Sequence, residues 1–244
     1  MISLRGKWAL VTGASRGIGK LSALQLADEG VNLILHGRQL AHLEEIYKAV
    51  TEKGVSAHCV AAELSDLAQV QAMLAEIDAL GVPVSVVCNN AAVQIAYRTE
   101  YFTTPAEDYD VSFRINTIAP MMICYHFMPK MIEAGFGRII NTTSGIDKEP
   151  QQAGYSASKA ALDKVTRDLG TTVEGTDVII SLADPGWCRT DLGGPHAPNA
   201  PESALPGVIV GAFVNDGKSG RIFHGQRFSG MTLADAVAVA QQEL

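Results

Sequence analysis

Apolar runs of strand length alternate with helically spaced apolar positions from the first residues onward. "KWALVT" (7–12) reads as a buried strand, followed by the turn "GASRGIG" and a helix from about Ile18 to Glu29. "NLILHG" (32–37), "SAHCVAA" (56–62) and "VSVVCN" (84–89) read as the next three strands. Leu40, Leu43, Ile46, Tyr47 and Val50 predict a helix over about 40–53 that stops at Gly54, and another spans 66–80 and stops at Gly81. Thr104-Pro105-Ala106-Glu107 combines a capping box with Pro at the first helical position. It predicts a long helix to about Glu133, kinked by Pro120. "GRIINTT" (137–143), a helix holding Tyr155, "DVIISLA" (177–183) and "SGRIFHG" (219–225) continue the alternation. Such a pattern builds a parallel sheet covered by helices on both faces.

No linker or repeat divides residues 1–244, which read as one domain. The one shift in composition is 184–207, with five Pro and four Gly, the place of a lid over a site. With 47% hydrophobic residues the chain can bury a large core. A net charge of −7 argues against nucleic acid or an anionic membrane as partner. Cys59, Cys88, Cys124 and Cys188 lie far apart with no metal-ligand spacing, and free thiols suit a reducing compartment. No stretch approaches the roughly 18 apolar residues of a membrane span. A cytoplasmic, metal-free protein is expected.

Two local features carry chemistry. Gly13, Gly17 and Gly19 in "TGASRGIG" (12–19) follow a strand and open a helix, a turn that brings backbone and a helix N-terminus up to a pyrophosphate. Tyr155 stands four residues before Lys159, so the two share a helix face. An ordinary Tyr, with a pKa near about 10, is a poor acid or base at neutral pH. A neighbouring ammonium together with a second nearby cation is expected to favour its phenolate.

"TGASRGIG", "NNAA" (89–92), Asn116, Ser144, Tyr155-x-x-x-Lys159 and "PGWCRT" (185–190) occur in that order. Together they resemble the short-chain dehydrogenase/reductase family over nearly the full length, nearest its carbonyl-reductase-like members. The resemblance implies a single Rossmann-type, doubly wound α/β domain with a seven-stranded parallel sheet in the order 3-2-1-4-5-6-7, and a nicotinamide cofactor. It implies Tyr155 as general acid/base, Lys159 on the nicotinamide ribose, Ser144 on the substrate oxygen and Asn116 holding a water that links Lys159 to solvent. Thr143 is the alternative hydroxyl if the register slips by one. The implied cofactor contacts are Gly13, Ser15, Arg16, Gly17, Ile18, Gly19, Arg38, Glu63, Leu64, Asn90, Ala91, Tyr155, Lys159, Pro185, Gly186 and Thr190. Glu63, where the family commonly has Asp, would reach the adenine. The second strand ends "LHGR" with no acid for ribose hydroxyls, so Arg38 and Arg16 are expected to hold a 2′-phosphate, favouring NADP(H) over NAD(H).

The expected reaction interconverts a small ketone or aldehyde and its alcohol. Two alternatives stand beside it, a 3-oxoacyl-[acyl-carrier-protein] reductase and a catalytically inactive NADP-binding regulator. Trp187, Tyr97, Tyr101 and Phe102 are candidates for an apolar pocket. At the C-terminus, Thr232 and Asp235 can open a helix over 231–244, with Leu233, Ala234, Val237 and Ala238 as an apolar stripe continued by Ala240 and Leu244. So short a helix must pack on something, a neighbouring subunit or the chain's own sheet. A homodimer or homotetramer is expected, with this tail at or near the subunit interface.

Overall fold

The computed structural model describes residues 1–242. The first half alternates β1 (Trp8–Val11), α1 (Gly17–Asp28), β2 (Asn32–Gly37), α2 (Glu44–Thr51), β3 (Ala57–Ala61), α3 (Leu67–Ala79) and β4 (Val84–Asn89). Then come α4 (Ala106–Phe113), α5 (Ala119–Glu133), β5 (Gly137–Thr142), α6 (Ala153–Thr172) and β6 (Val178–Asp184). A short α7 (Val210–Phe213), β7 (Ile222–His224) and α8 (Leu233–Gln242) complete the chain. All seven strands pair in parallel in the order β3-β2-β1-β4-β5-β6-β7.

Strand residues alternate between two cores, as a period of two requires. Ala9, Val11, Leu33 and Leu35 join Leu26 of α1, Ile46 of α2, Phe213 of α7 and Val237 of α8. Leu10 and Ile34 face the other way, with Met73 of α3, Phe127 of α5 and Leu162 of α6. Because both faces are covered, the strands read as apolar runs rather than as alternating ones. The order reverses between β1 and β4, which opens a crevice at their carboxyl ends.

Three elements differ from expectation. The long helix over 104–133 is divided by a π turn, Arg114–Ile118, between α4 and α5. Pro120 has no N–H for the carbonyl of residue 116 and its ring crowds that group, so the backbone widens there. The capping box does not form: Pro105 is the extended N-cap, and the Thr104 hydroxyl donates to the Tyr101 carbonyl at 2.8 Å. The 40–53 helix begins as a 3₁₀ turn, Leu40–Leu43, which leaves Leu40 and Tyr47 exposed while Leu43, Ile46 and Val50 are buried.

The C-terminal stripe is also corrected. Leu233, Ala236, Val237 and Ala240 are buried, whereas Ala234 and Ala238 are exposed. Spacings of three and four place the first set on one face, and that face packs on α7. The Asn215 N–H donates to Gln241 Oε1 at 2.9 Å, so α8 docks on its own chain and does not keep its apolar face for a neighbouring subunit. Leu244, expected to extend the stripe, lies outside the described residues. Among those residues, no helix is long and apolar enough to cross a membrane.

Candidate active site

The glycine-rich turn lies where β1 and β4 diverge. Gly13 has φ +66° and Gly17 φ +56°, left-handed values that favour glycine. A Cβ on Gly19 would sit 2.2 Å from the Gly13 carbonyl oxygen, so α1 can pack this tightly only with glycine there. Thr12 Oγ1 accepts the N–H groups of Asn90 and Ala91, each at 3.0 Å, and Asn90 Nδ2 donates to the Thr12 carbonyl at 3.1 Å. These bonds join the "NNAA" segment to the turn. Ser15 and Ile18 are half-buried beside it. The N-cap of α1, Arg16, is extended and no side chain caps the helix, so its first N–H groups remain for an anion. The turn is braced from below by His36. Its Nδ1 accepts the Gly13 N–H at 3.3 Å while Nε2 faces the Ala62 carbonyl at 3.1 Å, which assigns the neutral ring with its proton on Nε2. Burial pushes the pKa of His36 below the ordinary histidine value.

Arg38 is exposed immediately after β2. Arg16 does not stand free beside it, because its Nη1 pairs with Asp191 at 2.7 Å, both side chains well exposed. The reader built of two arginines is therefore reduced to Arg38 in this arrangement. Glu63 turns back on its own loop, with Oε1 accepting from Ser65 N at 3.0 Å and Ser65 Oγ at 2.9 Å. One oxygen of that carboxylate is thus already occupied. The Leu64 side chain is buried in the core, so only its main chain is available to a cofactor.

On α6, Tyr155 and Lys159 are both buried, and Lys159 Nζ lies 5.9 Å from the centre of the Tyr155 ring. Lys159 Nζ donates to the Thr142 carbonyl at 2.7 Å, tying α6 to the end of β5. Ser144 acts on the Tyr155 phenol, holding its pKa down, and its Oγ accepts the Ile146 N–H at 3.3 Å. Thr143 is turned the other way, its hydroxyl donating to Asp163, so Ser144 is the hydroxyl that meets the phenol. Asn116 is fully buried in the π turn. Its Oδ1 accepts from Val93 N at 2.9 Å, and its Nδ2 donates to Val93 O at 2.9 Å and Ser158 Oγ at 3.0 Å. The side-chain amide of Asn116 thus clamps the segment after β4 to α6.

Burial raises the Tyr155 pKa above the ordinary phenol value, the Ser144 bond opposes this, and the Asp184 charge adds to it. Burial lowers the Lys159 pKa to about 8, with Asp163 acting the other way. Among the chain's own groups burial is the larger influence on Tyr155, and the phenol holds its proton. Sequence reasoning missed Asp163 and Asp184. Asp163 had a signal, since Tyr155, Lys159 and Asp163 recur at intervals of four; Asp184, at the end of β6, had none.

Segment 184–207 is braced from within. Trp187 Nε1 donates to Gly193 O at 2.7 Å, and Arg189 Nη1 donates to Ala197 O at 3.0 Å and Pro198 O at 2.8 Å. Gly186, at φ +72°, donates its N–H to Asp184 Oδ1 at 2.9 Å, and Pro185 O accepts from Gln226 Nε2 at 2.8 Å. The Thr190 methyl lies against Gly17, with the Arg16–Asp191 pair alongside, so the strap reaches over the glycine-rich turn. Trp187, Tyr97, Tyr101 and Phe102 are exposed. Among the described residues, no cluster of His, Cys, Asp or Glu is placed to hold a metal ion.

A doubly wound sheet with a glycine-rich first turn and a Ser-Tyr-Lys cluster defines a class of nicotinamide-dependent oxidoreductases. Residues 7–200 match the model of the short chain dehydrogenase family, and the chain belongs to that family. It is 31% identical over 198 residues to a short-chain type dehydrogenase/reductase of Picea abies, covering 78% of this chain and 73% of that one. It is 32% identical over 194 residues to the 3-oxoacyl-[acyl-carrier-protein] reductase FabG of Rickettsia conorii, covering 79% and 77%. A metagenomic short-chain oxidoreductase solved in complex with NADP superposes with a TM-score of 0.70 at 32% identity, covering 77% of this chain and 86% of that one.

Proposed function

We propose that this short-chain dehydrogenase/reductase is an NADPH-dependent reductase of a ketone or aldehyde carbonyl. The observation that carries the reading is the buried Tyr155 on one helix face with the buried Lys159, whose Nζ lies 5.9 Å from the centre of the Tyr155 ring, with Ser144 acting on the phenol. A bound NADPH supplies the hydride. Tyr155 gives its proton to the carbonyl oxygen, Ser144 hydrogen-bonds that oxygen, and the Lys159 ammonium holds the ribose and stabilises the phenolate left behind. The chain fits such a cofactor in its own geometry. The uncapped α1 and the close glycines Gly13, Gly17 and Gly19 suit a pyrophosphate, and Arg38 suits a 2′-phosphate. Asn90 and Ala91 pack on Gly13 and Thr190 on Gly17, so these would join the cradle, with Pro185 and Gly186 as further proposed contacts. The NADP-bound relative supports the choice of cofactor.

The similarity to FabG favours a second reading, reduction of a 3-oxoacyl group on a carrier protein. An acidic carrier calls for a basic face, whereas the end of α6 and the turn after it carry Glu174 and Asp177, so the small carbonyl ranks first. An inactive regulator ranks last, because Ser144, Tyr155 and Lys159 stand together intact. A cytoplasmic homodimer or homotetramer belongs to the same reading, its contacts made by surfaces other than the apolar face of α8.

The test is NADPH oxidation against a panel of ketones, aldehydes and 3-oxoacyl thioesters, with wild type and Tyr155→Phe side by side. The variant is expected to bind NADPH as the wild type does and to lose roughly 10²–10⁴ in turnover. Near-wild-type turnover by Tyr155→Phe overturns the assignment, and activity confined to carrier-linked thioesters selects the second reading.

A further inference from the structure

Lys159 is a cation with almost no exposure, on the α6 face that also carries Tyr155. A buried charge is costly unless something of opposite sign compensates it. Its only hydrogen-bond partner among the described side chains and main chain is the Thr142 carbonyl, which is a dipole and not an anion. One turn further along the same face stands Asp163, half-buried. Its carboxylate accepts the hydroxyl of Thr143, the residue next to the one that Lys159 grips. Two consecutive residues at the end of β5 are thus held from α6, one by a cation and the other by an anion.

We propose that Asp163 is a positioning residue for Lys159: fixed by Thr143, its carboxylate is the counter-charge that keeps the buried ammonium charged and aimed at the Tyr155 side of the site. The surroundings leave this role to Asp163. Tyr155, one turn before Lys159, is a protonated phenol, and Arg167, one turn beyond Asp163, is a second cation that draws on the same carboxylate. Asp184, from β6, acts on Asp163 and Tyr155 rather than on Lys159. Asp163 is the group that opposes the burial penalty on Lys159.

The importance of this for catalysis rests on the proposed function, but the charge coupling is measurable without it. In lysine-labelled, cofactor-free protein, the Lys159 ¹³Cε resonance is assigned by its absence from Lys159→Met and followed against pH. Asp163→Asn, which keeps shape and removes charge, is expected to move the Lys159 midpoint down by about one pH unit. Asp163→Glu is expected to recover at least half of that displacement. Where the wild type turns over a carbonyl, the alkaline limb of kcat should move down with the midpoint in Asp163→Asn, without a matching rise in the Kd for NADPH. A midpoint unchanged in folded Asp163→Asn overturns the proposal. Should that variant not fold, Thr143→Val, which frees the carboxylate, takes its place, and an unmoved Lys159 midpoint there overturns it equally. A protein with the coupling but no carbonyl reduction would sink the proposed function and leave this inference standing.

Discussion

At the scale of single residues, the site turns on which of two similar groups faces the chemistry. Thr143 and Ser144 are adjacent hydroxyls just past the end of β5, and they take different partners. Thr143 meets α6 and Ser144 meets the phenol. Of the two arginines proposed for a 2′-phosphate, Arg16 pairs with Asp191, whereas Arg38 is exposed. Exposed ion pairs contribute about 0–1 kcal/mol, so a 2′-phosphate would readily compete for Arg16. Replacing Arg38 by Ala should weaken NADPH by about 10- to 150-fold, the worth of a charge-assisted contact, and leave NADH nearly unchanged. Titrating both cofactors by fluorescence measures this, and equal losses would show that Arg38 does not read the phosphate.

At the scale of elements, local pattern predicted the existence and kind of each strand and nearly every helix. It erred where tertiary contacts choose among faces. In α8 the apolar residues are numerous enough to draw two stripes, and the surface of α7 selects the one with Leu233, Ala236, Val237 and Ala240. Val237 is fully buried there. Val237→Ala removes packing worth about 2 kcal/mol, and for a domain of this size the melting temperature should fall by roughly 4–8 °C. Because the helix docks on its own chain, the mass by light scattering should stay that of the wild type. A loss of mass at an unchanged melting temperature would place α8 at a subunit contact instead. The π turn is a second such case. Pro120 announced a disturbance in the 104–133 helix, but only the fold shows that it falls on Asn116, which then bonds Val93 and Ser158.

At the scale of the whole molecule, the buried ionisable groups couple stability to pH. His36 is neutral in the folded chain with its pKa lowered by burial, while the unfolded chain titrates near about 6.5. Below that pH the unfolded state binds a proton that the native state resists. The stability His36 provides is therefore complete above about 6.5 and is lost as the pH falls through its native pKa, at up to about 1.4 kcal/mol per pH unit. Urea unfolding at pH 7.5 and 5.5 should show a smaller acid loss in His36→Gln than in wild type, and equal losses would mean that His36 does not titrate in this range. Much of this molecule was legible in one dimension. Strand and helix follow from periods of two and about 3.6, the glycine turn from steric needs of the backbone, and Tyr155 with Lys159 from one turn of helix. These are local properties, set by neighbours in sequence. Tertiary structure alone decided the partner of Arg16, 175 residues away, the hydroxyl at Tyr155, the buried face of α8 and the proton on the phenol. Each depends on burial and on charges brought from distant segments, and desolvation is a property of the assembled fold that no spacing of residues encodes.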